Sequence, residues 1–144
     1  MRHWKKSLLA LAVAATSLTG CGTPQETTKD NTVGVNRQQT FSVSSEAINA
    51  EASKAYSQVL AEARAKRVLD TNPAMVARVK RITNNLIAKT PAIRADAKTW
   101  PWEIHVITLD EMNAWCMPHG KMVIYSGLID QLKLSDAEIA QVMG

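Results

Sequence analysis

The sequence predicts an α+β domain: two amphipathic helices, a small β-sheet and the start of a further helix. Three observations carry that expectation. Apolar residues recur every three or four positions between Ser45 and Thr90, which is helical spacing. In WPWEIHVIT they alternate singly, as in a half-buried strand. After Ser135 the helical spacing returns, behind a strong start signal.

At the front, MRHWKK is a positive n-region and SLLALAVAATSL an apolar stretch too short to span a bilayer. Leu18-Thr19-Gly20-Cys21 follows at once and resembles a bacterial lipobox, so residues 1–20 are expected to be a lipoprotein signal peptide with Cys21 as the lipidated residue. Of the 17 basic residues, Arg2, Lys5 and Lys6 leave with that peptide, so 14 basic residues face 13 acidic ones in the mature chain. The overall pI of 9.2 therefore says little about partners, and an exported protein is expected to bind no nucleic acid. A local basic excess persists from Arg64 to Lys98 and reads as a solvated helix face. With Cys21 acylated, Cys116 has no intramolecular partner, so packing rather than disulfides must hold the fold. Gly22 after the cysteine is not the aspartate that retains lipoproteins at the inner membrane in enterobacteria-like systems. The expected location is the cell envelope, lipid-anchored at the outer membrane and facing the periplasm.

Residues 21–45 are rich in Thr, Gln, Asn and Ser, with few large apolar groups, and are expected to form a flexible tether. The folded part is expected over 46–144. Its first helix carries Ile48, Ala52, Ala55, Tyr56, Val59, Leu60 and Ala63 as one apolar stripe. The second opens at Asn72-Pro73, a cap followed by proline at the first helical position, and ends at Thr90-Pro91. Met75, Val79, Ile82 and Leu86 form its stripe.

In the strand that follows, Trp102, Ile104 and Val106 face one way, and Glu103 and His105 the other. A second strand is KMVIYSG, bounded by Gly120 and Gly127, and GLIDQLK is a short helix. Ser135 then caps the last helix, with Glu138 as its capping-box partner and Ile139, Val142 and Met143 at helical spacing. An isolated helix that short is marginal in water, so this one is expected to continue and the domain to be incomplete.

NAWCMPHGKMVIYSGLIDQLKLSDAEIAQVMG resembles the segment of M48 family zinc metallopeptidases that runs directly into their H-E-x-x-H helix. The resemblance rests on Asn113-Ala114, Pro118, Gly120, the strand Met122 to Tyr125, Ser126-Gly127-Leu128, Glu138, Ala140, Val142 and Gly144. One departure is His119, where the family usually has glycine; histidine tolerates positive φ less well. The resemblance implies that residues 46–144 are the N-terminal part of a peptidase domain whose last helix is the start of the zincin active-site helix. It implies Zn2+ as cofactor, with the two histidine ligands and the general-base glutamate absent from this chain.

The resemblance also implies a substrate-binding edge. In zincin-like peptidases an edge strand beside the active-site helix pairs with the extended substrate. Here it would be Asn113-Ala114-Trp115-Cys116-Met117. Cys116 and His119, three residues apart with His105, Asp110 and Glu111 nearby in sequence, could suggest a metal or nucleophile pair, but spacing alone is weak evidence, and Cys116 is read as a small apolar residue on a strand edge and His119 as a turn residue. Two functions stay open: a membrane-anchored zinc metalloendopeptidase acting on unfolded or misassembled envelope proteins, represented here by a portion without catalytic residues; or a non-enzymatic truncated lipoprotein that binds partners.

Overall fold

The computed structural model describes residues 23–26 and 38–144, with side chains from residue 42 onward. The expected signal peptide and the expected lipidation site Cys21 lie outside the described residues. Within the stretch expected to be a tether, Thr23–Glu26 (β1) and Gln38–Phe41 (β2) pair antiparallel, with Thr23 opposite Phe41 and Glu26 opposite Gln38. Composition did not reveal that pairing, because it records side chains, whereas strands pair through their backbones.

The two long helices form where their caps and stripes place them. α1 spans Ser45–Ala65, and Ser44 caps it by accepting the Ala47 N–H at 3.2 Å. Its stripe buries Tyr56, Leu60 and Ala63; Ile48, expected in that stripe, is 38% exposed and lines a cleft instead. α2 spans Pro73–Ile87, capped by Asn72, whose side chain accepts the Met75 N–H at 3.1 Å. Two 3-10 turns follow, Thr90–Ala92 and Ala95–Thr99.

Three strands form the main sheet: β3 (Glu103–Ile107), β4 (Ala114–Met117) and β5 (Lys121–Tyr125). Their order is β3-β5-β4. β5 lies in the middle, parallel to β3 and antiparallel to β4. The chain must therefore cross from β3 past the end of β5 before returning through the β4–β5 hairpin. That crossing is held at Leu109, whose carbonyl accepts the Gly127 N–H at 2.9 Å and the Ser126 hydroxyl at 3.1 Å. α3 (Ser126–Gln131) starts there, and α4 (Asp136–Met143) follows.

Both faces of the sheet are covered: β3 keeps its alternation, with Ile104 and Val106 buried and Glu103 and His105 only partly so, but its polar side is overlain as well. On one face Ile104, Val106, Met122 and Ile124 pack against α2, α3 and α4 through Val79, Ile82, Ile129 and Ile139. On the other, Val123 and Ile107 meet Tyr56, Leu60 and Ala63 of α1. Tyr56 also donates its hydroxyl to the Met122 carbonyl at 3.0 Å, and burial pushes that hydroxyl far above its ordinary pKa. The polar side of β3 is thus a second interface, and it was invisible from β3 alone.

α4 carries the full capping box: the Ser135 hydroxyl accepts the Glu138 N–H at 3.3 Å, and Glu138 accepts the Ser135 N–H at 2.8 Å. Arg78 and Arg81 of α2 each reach Asp136 at 2.7 Å, and Arg78 donates to the Leu134 carbonyl at 2.7 Å. Part of the basic run is therefore an α2–α4 brace. Ile139 is fully buried and Met143 packs against the same core, but Val142 is 49% exposed and does not join them on the sheet.

Thr83 is 1% exposed, and its hydroxyl has no hydrogen-bond partner among the described residues. An unpaired buried hydroxyl costs about 1–3 kcal/mol, whereas an isosteric methyl costs nothing in hydrogen bonds. Thr83→Val is accordingly expected to raise stability by about 1 kcal/mol, read as a higher urea midpoint at unchanged m-value.

Candidate functional site

The sheet has two edges, and they are treated differently. Along β3, the segment after α1 adds a bridge at Leu69–Ile107, with the Thr108 N–H donating to the Val68 carbonyl and the Asp70 N–H to the Val106 carbonyl, both at 2.8 Å. β4 has no strand on its outer side among the described residues. Antiparallel pairing alternates bonded and non-bonded residues. Because the Asn113 carbonyl accepts the Tyr125 N–H at 3.0 Å, the residues bonded to β5 are Asn113, Trp115 and Met117. The backbone groups of Ala114 and Cys116 point outward.

The five residues singled out from the sequence thus divide by role. Asn113 ties the strand's entry to β5, and its amide donates to Glu111 at 3.0 Å. Ala114 packs on the α4-side core, while Trp115 and Met117 pack on the α1 side, where the Trp115 ring stands edge-on to Tyr56 at 6.0 Å. Cys116 is exposed. The open backbone of Ala114 and Cys116 is the part of the stretch that another chain can reach.

Beyond the end of β4 the hairpin turns through Pro118, His119 and Gly120 into β5. His119 takes φ +62° and Gly120 φ +71°. The histidine that departs from the family pattern therefore adopts the left-handed conformation a glycine would, at a cost of roughly 1–2 kcal/mol. Contacts offset that cost: the Asn49 amide donates to His119 Nε2 at 2.8 Å, and the Trp100 ring lies 5.6 Å away. Gly120 cannot be replaced in kind, since a Cβ there would lie 2.4 Å from the Trp102 ring. Beside this turn lies a cleft of about 700 Å³, bounded by the start of α1, the Arg94–Trp102 segment and the hairpin. Arg94 covers the Trp100 ring at 4.8 Å and pairs with Asp96 at 2.8 Å. Neither Trp100, Arg94 nor Asn49 stood out in the sequence, because they converge from three separate segments with no common spacing.

A second polar group sits under α1. Both ring nitrogens of His105 face carboxylates, Nδ1 at 2.5 Å from Asp70 and Nε2 at 2.9 Å from Glu103. Asp70 also accepts the Val106 N–H at 2.9 Å, and Lys121 donates to Glu103 at 2.8 Å. Lys121 holds the Glu103 carboxyl below its ordinary value of 4.5; burial works against this and His105 assists it. A depressed folded-state value means the stabilisation is complete above about pH 4.5 and is lost as pH falls through the folded value. Glu103→Gln is expected to make the fall in melting temperature below pH 4.5 shallower than in the parent. Parallel acid limbs in the two proteins would contradict it.

Zinc, implied by the resemblance, does not fit these residues. Among the described residues no group of three or more His, Cys, Asp or Glu is placed to hold a metal ion. His105 has both nitrogens engaged with carboxylates, and the Nε2 of His119 accepts from Asn49. No hydrogen bond joins Cys116 to His119.

The site is thus an open strand edge with a cleft at its end, on a small sheet backed by a capped helix. The chain belongs to peptidase family M48, whose model matches residues 73–144, from α2 through α4. It is 28% identical over 142 residues to the metalloprotease YcaL of Escherichia coli (strain K12), covering 96% of this chain and 51% of that protein. It is 46% identical over 43 residues to the mitochondrial metalloendopeptidase OMA1 of Arabidopsis thaliana, covering 30% of this chain and 9% of that one. The chain thus spans about half the length of one of these relatives and a small part of the other. No solved structure matches it.

Proposed function

We propose that this chain is the substrate-presenting part of a zinc metalloendopeptidase of the cell envelope, acting on unfolded or misassembled envelope proteins. Cys21 would carry the lipid that anchors it, at the outer membrane facing the periplasm. The observation that carries the reading is the open β4 edge, which lies within the family-matched residues. An unfolded protein offers extended backbone with unpaired N–H and C=O groups, and Ala114 and Cys116 offer the complement. The zinc ligands belong, in this reading, to parts of the peptidase other than the described residues.

The test is a chimera in which this chain replaces its aligned half of the E. coli metalloprotease. The chimera is expected to cleave casein, to lose that activity to a zinc chelator and to regain it on zinc addition. A folded chimera that binds casein at β4 without cleaving it supports the alternative, a non-enzymatic lipoprotein that holds partners at the same edge.

The anchor has its own test. Two acyl chains hold a protein firmly at a membrane, where a single chain holds it only marginally. Cys21→Ser is expected to shift the protein from the membrane to the soluble fraction or to leave its signal peptide uncleaved. Unchanged processing and fractionation would overturn the lipid anchor.

A further inference from the structure

We infer that the cleft at the end of β4 is a side-chain subsite, which receives a large apolar or aromatic side chain from the residue of a bound strand that pairs with Cys116. The inference rests on the reading of β4 as the polypeptide-binding edge. Its geometry comes from the sheet. Cys116 exposes its backbone outward, so a guest residue opposite it is a hydrogen-bonded partner, and paired residues project their side chains to the same face. Cys116 lines the cleft. The guest side chain opposite Cys116 therefore leaves the strand on the cleft side.

The lining states the chemistry of the occupant. Sulfur-bearing side chains, Cys116, Met117, Met122 and Met143, line the cleft together with the rings of Trp100 and Trp102. Such polarizable groups adapt to apolar guests of different shape and make favourable sulfur–aromatic contacts. The cation in the wall, Arg94, is already matched by Asp96, so an acidic guest finds no unpaired positive partner there. His119, held at φ +62° between Asn49 and Trp100, presents its ring to the cleft from a turn where glycine would be easier.

The test uses the full chain and a set of capped hexapeptides of threonine, identical except that one central residue is Phe, Leu, Ala or Asp, with affinities measured by calorimetry. The Phe and Leu peptides are expected to bind at least tenfold more tightly than the Ala peptide, and the Asp peptide no better than Ala. His119→Gly, which relaxes the turn while removing the ring, and Trp100→Ala should each erase most of that difference and leave Ala-peptide binding in place. Cys116→Pro removes an N–H that points away from β5, so it costs no bond within the sheet and should abolish binding of every peptide. Equal affinities for Phe, Leu and Ala, all lost in Cys116→Pro, would overturn the subsite and leave the β4 edge standing. A preference for Phe that survives Cys116→Pro would overturn the pairing with Cys116. Absence of binding by all four peptides to a cooperatively folded chain would overturn both.

Discussion

Truncating Ile139 to alanine is expected to cost about 3–4 kcal/mol, the largest loss from any single side chain of α4. Ile139 is fully buried and shares one core cluster with Val79, Ile82, Ile104, Val106, Ile124 and Ile129, which come from α2, α3 and two strands. Removing its branched end gives up the transfer free energy of the lost methyl groups and leaves a cavity that the surrounding elements cannot fill without shifting together. Whole domains are stable by only about 5–15 kcal/mol, so one such change brings this one close to unfolding. Urea denaturation checks it: the midpoint should fall sharply at unchanged slope. A loss under about 1 kcal/mol would mean that α4 does not pack on the sheet as described.

Gly127→Ala should be about as damaging for a different reason. A Cβ at this position would lie 2.5 Å from the Glu111 nitrogen and 2.7 Å from the Asp110 carbonyl carbon and the Glu111 oxygen. These are backbone atoms of the crossing between β3 and β4, and no rotamer change moves them aside. The crossing would have to retreat, stretching the bonds that Gly127 and Ser126 make to Leu109. Overpacking of this kind costs about 1–3 kcal/mol, and each lost hydrogen bond about 1 kcal/mol more. The crossing also delivers Asn113 to the start of β4, so the variant should show faster amide exchange at Ala114 and Cys116 as well as a lower melting temperature. A variant with parental stability and exchange would show that the crossing does not lie against Gly127.

How much of this was legible depends on the range of the interaction. Caps and periodicity are local, and they placed α1, α2, β3, β5, α3 and α4 to within about three residues, the end of α2 and the start of β3 being the least well placed; the Ser135–Glu138 box was readable from four consecutive residues. The burial of the Glu103 and His105 side of β3 was not, because the covering residues Tyr56 and Asp70 lie 35 or more positions earlier. The β1–β2 pair escaped because polar composition records what a segment cannot bury, and says nothing of backbone pairing. As for the candidate site, the stretch 113–117 came from family resemblance and β4 is indeed an edge strand of the sheet. Which of its residues face outward depends on the register with β5, and the cleft depends on α1, the Arg94–Trp102 segment and the hairpin meeting in space. Neither leaves a pattern in the order of residues.

The central claim is that β4 presents extended polypeptide to the catalytic machinery of an M48 peptidase. The most direct measurement is kcat/KM for casein cleavage by the YcaL chimera with and without Cys116→Pro, with melting curves confirming that both are folded. The account predicts at least a tenfold fall, carried by KM, since the substitution removes one outward N–H and no hydrogen bond to β5. Equal kcat/KM in two equally stable proteins would show that substrate does not pair with β4.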